Sequence, residues 1–167
     1  MIGKPAGKLT EIADGATGMG EVTDPSLGRF LPLFEEALTR FVNGDPTPLK
    51  QIVSRREDAT IMGAWGAHER GWDEVSLRYE WAAARFEESG TRVEVEYLSS
   101  VKSGDLAYTV AIERSEARLA GRDQPMPMTL RVTHAFRKEE GDWKLVHRHA
   151  DPLVEKTAPA TVLQKSP

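Results

Sequence analysis

Residues Met128–Arg137 (MTLRVTHAFR), a turn at Glu139-Glu-Gly-Asp142, and the returning Trp143–Asp151 (WKLVHRHAD) read as one long antiparallel hairpin. This hairpin completes an element order of helix, helix, strand, helix and then four strands, which makes the chain α+β. The first helix follows the cap-and-proline pair Asp24-Pro25. It carries Leu27, Phe30, Leu31, Phe34, Leu38, Phe41 and Val42 at helical spacing until Asn43-Gly44 stops it. Pro32 lies inside that pattern, so the regular helix is expected to begin near Arg29. Asp45-Pro46 repeats the start signal for a short second helix through Leu49, Ile52 and Val53. Asp58–Met62 reads as a short strand and Gly63–Gly71 as a glycine-punctuated loop. Trp72, Val75, Tyr79, Ala82 and Phe86 then form the apolar stripe of a third helix. After Ser89-Gly90 the period changes to two. Val93, Val95 and Tyr97 mark one strand. After a turn at Ser103-Gly104-Asp105, Leu106, Tyr108, Val110 and Ile112 mark the apolar face of the next. Ser115–Pro127 reads as a connection.

The 167 residues suit one domain, expected over residues 24–153. Residues 1–23 lack periodicity and are expected to form an arm, with residues 154–167 a loose tail. There is no cysteine, which excludes disulfides, thiolate nucleophiles and cysteine-ligated metals. No apolar run is long enough to span a bilayer. The segment Met1-Ile-Gly-Lys-Pro-Ala-Gly-Lys has no apolar stretch after its charges, so a cytoplasmic location is expected. The net charge is −4 and the Lys and Arg residues are scattered, which argues against nucleic acid. No phosphate-binding Gly-x-x-x-x-Gly-Lys string, dinucleotide fingerprint or Gly-x-Ser-x-Gly elbow is present, so no organic cofactor is expected.

Several strings carry a resemblance: Phe41-Val-Asn-Gly-Asp45, Asp58-Ala-Thr60, Gly104-Asp-Leu-Ala-Tyr108, Arg131-Val-Thr133, Gly141-Asp-Trp143 and His147-Arg-His149. Together they make residues 27–152 similar to the superfamily of nuclear transport factor 2, ketosteroid isomerase and the SnoaL-like polyketide cyclases. The tryptophan strand ending in His-x-His resembles most the SnoaL-like branch and the association domain of calcium/calmodulin-dependent kinase. The resemblance implies a cystatin-like cone, a curved mixed sheet wrapped on the long helix. It also implies a homodimer through the convex sheet face. Ketosteroid isomerase chemistry needs a tyrosine, a base and a protonated aspartic acid. The corresponding positions hold Ala37, Gly63 and Thr133 or His134, so that trio is absent.

The remaining candidates follow from strand parity. His134 shares a face with Leu130, Val132 and Phe136, is placed toward the concave side, and is the candidate for proton transfer near neutral pH. Its alternative is a satisfied core histidine. Arg148 offers a planar fork for a carboxylate or phosphate, or else a salt bridge. Tyr108 is a candidate donor to a ligand, with Val110 and Val132 as apolar walls and Trp65 as roof or floor, Trp72 and Trp81 being further candidates. Trp143, Leu145, His147 and His149 share one face of the last strand by simple alternation, and Val146, Arg148 and Ala150 share the other. His147 and His149 lack a third ligand at motif spacing, so no metal is expected and an interface role is favoured. His68 lies in the glycine loop at the expected rim. The expected ligand is a small, partly apolar molecule, bound with or without cofactor-independent acid–base chemistry such as isomerisation, cyclisation or hydration. The competing expectation is a non-catalytic dimeric binding or association module.

Overall fold

The computed structural model describes residues 25–163, so the expected arm over 1–23 lies outside the described residues. Helix α1 (Pro25–Val42) buries Leu27, Phe30, Leu31, Phe34, Leu38 and Val42 along one stripe. It begins at Pro25 and not near Arg29. A proline in the first turn forgoes an N–H that has no intrahelical partner anyway. Pro32 lies on the exposed side, where water can reach the carbonyl that loses its donor. At its end Gly44 has φ +92, and an added Cβ would stand 3.2 Å from the Phe86 carbonyl oxygen. Asn43 ties the same corner together: its side-chain amide donates to the carbonyls of Thr39 (2.8 Å) and Thr91 (3.0 Å) and accepts from the N–H groups of Ser89 and Gly90.

Helix α2 (Thr47–Ile52) is followed by β1 (Thr60–Gly63), β2 (Gly66–Arg70), α3 (Trp72–Ala83), β3 (Phe86–Glu87), β4 (Glu94–Ser103), β5 (Leu106–Leu119), β6 (Met126–Glu139) and β7 (Asp142–Pro152), with a short 3₁₀ turn at Pro159–Val162. The strands form one mixed sheet in the order β2-β1-β7-β6-β5-β3, with β4 also on β5. Only the β1–β7 pairing is parallel. Two expected loops are corrected. Gly63–Gly71 contains β2, whose turn back from β1 uses positive φ at Gly66 and Ala67. The connection before the last hairpin shrinks to residues 120–125, because the β5–β6 ladder continues to Ala117↔Met126. That end of β5 is largely solvated, so burial leaves little alternation there to read.

Two bulges curl the sheet, each an extra residue that increases local twist. On β4, Tyr97 pairs with Ala111 and Ser99 with Val110, leaving Leu98 over. On β7, Phe136 pairs with Leu145 and Ala135 with His147, leaving Val146 over. The second bulge overturns the alternation expected for the last strand. Trp143 and Leu145 before it, and Arg148 and Ala150 after it, are all buried on the concave side. His147 and His149 turn to the convex side, where Thr60 Oγ1 meets His147 Nδ1 at 2.8 Å.

The expected faces of β5 are also reversed. Ala107, Thr109, Ala111 and Glu113 are the buried, concave set, while Leu106 and Tyr108 are exposed on the convex face with Val110 half-buried beside them. Ile112, the fourth residue of the expected face, is nonetheless buried.

Candidate functional site

Between α1, α3 and the concave sheet lies a cavity of about 450 Å³. Its walls are largely apolar, with Leu38, Phe41 and Val42 from α1, Ala82 from α3, and Ile61, Leu130 and Ala150 from the sheet, and Arg78, Ser115 and Thr129 also line it. Three polar side chains gather at its inner end, Glu113 from β5, Arg148 from β7 and Tyr79 from α3.

Glu113 and Arg148 form a two-pronged ion pair. Arg148 Nη1 donates to Glu113 Oε1 at 2.7 Å and Nη2 to Oε2 at 2.6 Å, with both residues buried. Burial alone would raise the carboxyl pKa. The adjacent Arg148 guanidinium and its hydrogen bonds outweigh burial and hold Glu113 well below the usual carboxylate range. The pair is therefore ionised. Its hydrogen bonds use three of the five Arg148 N–H donors, counting one to His134, and the other two have no protein partner among the described residues.

His134 stands behind this pair, fully buried. Arg148 Nη1 approaches its Nε2 at 2.5 Å, and Thr109 Oγ1 lies 3.1 Å from its Nδ1. A guanidinium can only donate, so Nε2 is the acceptor and the ring proton sits on Nδ1, given to Thr109. Burial pushes the imidazole pKa down; Glu113 opposes that and the Arg148 cation adds to it, keeping the ring neutral. Phe34 covers one edge at 4.8 Å between ring centroids.

Tyr79 is buried, and its hydroxyl has no protein hydrogen bond among the described residues although it lines the cavity. Burial pushes its pKa up to about 12, so it remains a donor at any ordinary pH.

The expected residues divide accordingly. Arg148 and Trp65 line the cavity. Val132 is buried in a satellite cluster with Ala111, Leu130 and Ala150 and does not line it. His134 is on the concave side as expected, but it lies behind Arg148 and outside the cavity lining. Tyr108 and Val110 are corrected from wall to outer surface by the reversed β5 face. The Arg148 fork, expected to be open to an anion, is filled by Glu113. Trp81 is on the rim outside the main cavity, and Trp72 lies under Lys50 and Arg55. His68 is exposed on β2. His147 and His149 gather no third metal ligand among the described residues.

Sequence reasoning missed Glu113 and Tyr79. Glu113 carried a usable signal: it is the single charged residue in the small-residue set Ala107, Thr109, Ala111.

The sequence model of the SnoaL-like domain matches residues 32–155. Among solved structures, a nuclear transport factor 2-like superfamily protein from Salmonella enterica aligns with TM-score 0.66 and 17% identity, over 80% of this chain and 92% of its own. A candidate calcium/calmodulin-dependent protein kinase type II association domain from Thiobacillus denitrificans gives 0.61 and 17%, over 78% and 97%. A candidate scytalone dehydratase from Novosphingobium aromaticivorans gives 0.62 and 15%, over 77% and 83%. At such identities the likeness is one of fold. No functionally curated protein matches the sequence. Among the described residues, no helix is long and apolar enough to cross a membrane.

Proposed function

We propose, from the premise that this chain belongs to the SnoaL-like domain family, that its cone binds a small, neutral, largely apolar molecule bearing a carbonyl or hydroxyl oxygen. The observation that carries this reading is the inner end of the cavity. There the unused donors of Arg148 and the Tyr79 hydroxyl stand beside apolar walls, in a volume of about 450 Å³. That lies within the roughly 300–1,000 Å³ common for small-molecule sites. A neutral ligand is favoured over an anion because Glu113 already neutralises Arg148 and would repel a second carboxylate.

The chemistry such a floor supports is polarisation of a carbonyl. Tyr79 and the remaining Arg148 N–H groups donate to the oxygen as negative charge develops, while Glu113 keeps Arg148 in place through their ion pair. His134 then acts as a positioning residue, holding Arg148 from behind.

The test is to purify the chain, record its mass under native conditions, and extract and identify any small molecule released on denaturation. A neutral carbonyl or hydroxyl compound supports the reading. Tyr79→Phe then weakens binding of that compound about 3- to 10-fold, the loss of one hydrogen bond of about 0.5–1.5 kcal/mol. An empty protein, or an unchanged affinity in Tyr79→Phe, overturns it.

A second proposal rests on the convex face. Val101, Leu106 and Tyr108 are 44%, 56% and 42% exposed there, beside Ala135, His147 and His149. We infer that this face pairs with a second copy of the chain, since contiguous exposed apolar residues mark interaction surfaces. Tyr108→Glu is expected to halve the mass measured by light scattering at unchanged helix content. A wild-type monomer across micromolar concentrations would overturn the proposal.

A further inference from the structure

Beside the main cavity, and sharing Trp65 with it, Trp65, Trp81, Arg85, Leu119 and Ala120 line a second, open recess of about 360 Å³. Arg78, Trp81 and Arg85 succeed one another at three- and four-residue steps along α3 and its C-terminal extension, which puts them on one side. The Trp81 indole is consequently clasped by two guanidinium groups, with Arg78 4.4 Å and Arg85 3.4 Å from the ring centre. Trp65 meets Trp81 edge-on at 5.8 Å. Trp65 and Trp81 are the two exposed tryptophans, since Trp143 is buried and Trp72 is half-covered.

Several charges near this shelf are paired. Glu69 stands 3.6 Å from Arg78, Glu87 pairs with Arg118 at 3.2 Å, and Glu80 pairs with Lys50. Arg85 makes no ion pair among the described residues. Its Nη1 donates only to the Trp81 carbonyl, at 2.5 Å. Arg85 is therefore a cation held against an aromatic ring without a counter-charge, and an anion laid beside it meets that charge while its flat body covers the exposed Trp65.

We propose that this shelf is a second ligand site, distinct from the neutral floor of the main cavity, and that it takes planar aromatic anions of the aryl carboxylate class. Arg85, backed by the Trp81 indole, supplies the charge contact, and the exposed Trp65 supplies the stacking surface.

The test is calorimetric titration with 2-naphthoate and with its neutral analogue 2-naphthamide. Naphthoate is expected to bind at least fivefold more tightly than naphthamide, and Arg85→Gln to remove that preference. Ala150→Leu, which narrows the main cavity on β7, away from the shelf in the strand order, is expected to leave naphthoate affinity within twofold. The proposal is overturned if naphthoate does not bind, if both probes bind the wild type equally, or if Arg85→Gln retains the preference. It is equally overturned if Ala150→Leu abolishes naphthoate binding, because the anion would then sit in the main cavity.

Discussion

Arg148→Met is expected to lower the stability of the folded chain by about 3–5 kcal/mol, the cost of leaving one member of a buried ion pair without the other. The residue left behind is Glu113, buried at the inner end of an apolar cavity. Urea denaturation at neutral pH measures the loss. The double variant Glu113→Leu with Arg148→Met should recover much of it, because neither side then carries an unpaired charge. A loss below about 1 kcal/mol in the single variant would mean that the pair is effectively solvated.

The pH dependence of the two proteins has opposite sign. In the wild type, both Glu113 and His134 have folded-state pKa values depressed below their unfolded ones. Their contributions are therefore present above the unfolded pKa values and are lost on acidification, first as pH falls below about 6.5 for the histidine and then below about 4.3 for the carboxylate. In Arg148→Met, burial raises the Glu113 pKa, so that variant should lose stability as pH rises through the new value. Denaturation midpoints taken from pH 4 to 8 would separate the two. If the variant showed the same acid lability as the wild type, Arg148 would not be what keeps Glu113 ionised.

Phe34→Ala is expected to cost about 3–5 kcal/mol, as for other fully buried aromatic residues. Phe34 is 0% exposed and packs at once against Phe136 (5.3 Å between centroids) and the His134 ring (4.8 Å). The cavity it leaves lies behind the polar cluster, so the variant should also loosen His134. In NMR titrations the imidazole pKa should then move up toward the ordinary value, because water enters and lifts the burial penalty. Leu33→Ala on the same helix, at a residue 66% exposed, is the control and should stay within about 0.5 kcal/mol. Equal effects at the two positions would contradict the helix face assigned here.

The helices, the last hairpin and the family were legible in residues 27–152, because they depend on periodicity and on local turn chemistry, whereas the short β2 was read as part of a loop. The stripe Leu27, Phe30, Phe34, Leu38 and the pair Asn43-Gly44 define α1 and its end without reference to any neighbour. Placing His134 and Arg148 on the concave side was also possible from parity. For Arg148, however, simple alternation put Trp143 and Leu145 on the opposite face, and they are not.

Two features of the site were decided by tertiary contacts. Val146 carries no mark in the sequence that distinguishes a bulged residue from a paired one; the bulge arises because Trp143, Leu145, Arg148 and Ala150 all bury on the concave side, with β6 setting the register. The face of β5 was likewise undetermined by alternation, since both of its sides carry apolar residues. Sequence by itself determined the helices, the long strands and the family, which rest on contacts close along the chain, but not the short β2 and β3. Only the tertiary structure brought Glu113, Arg148 and Tyr79 to one point, because their meeting is set by strand register and helix docking across dozens of residues.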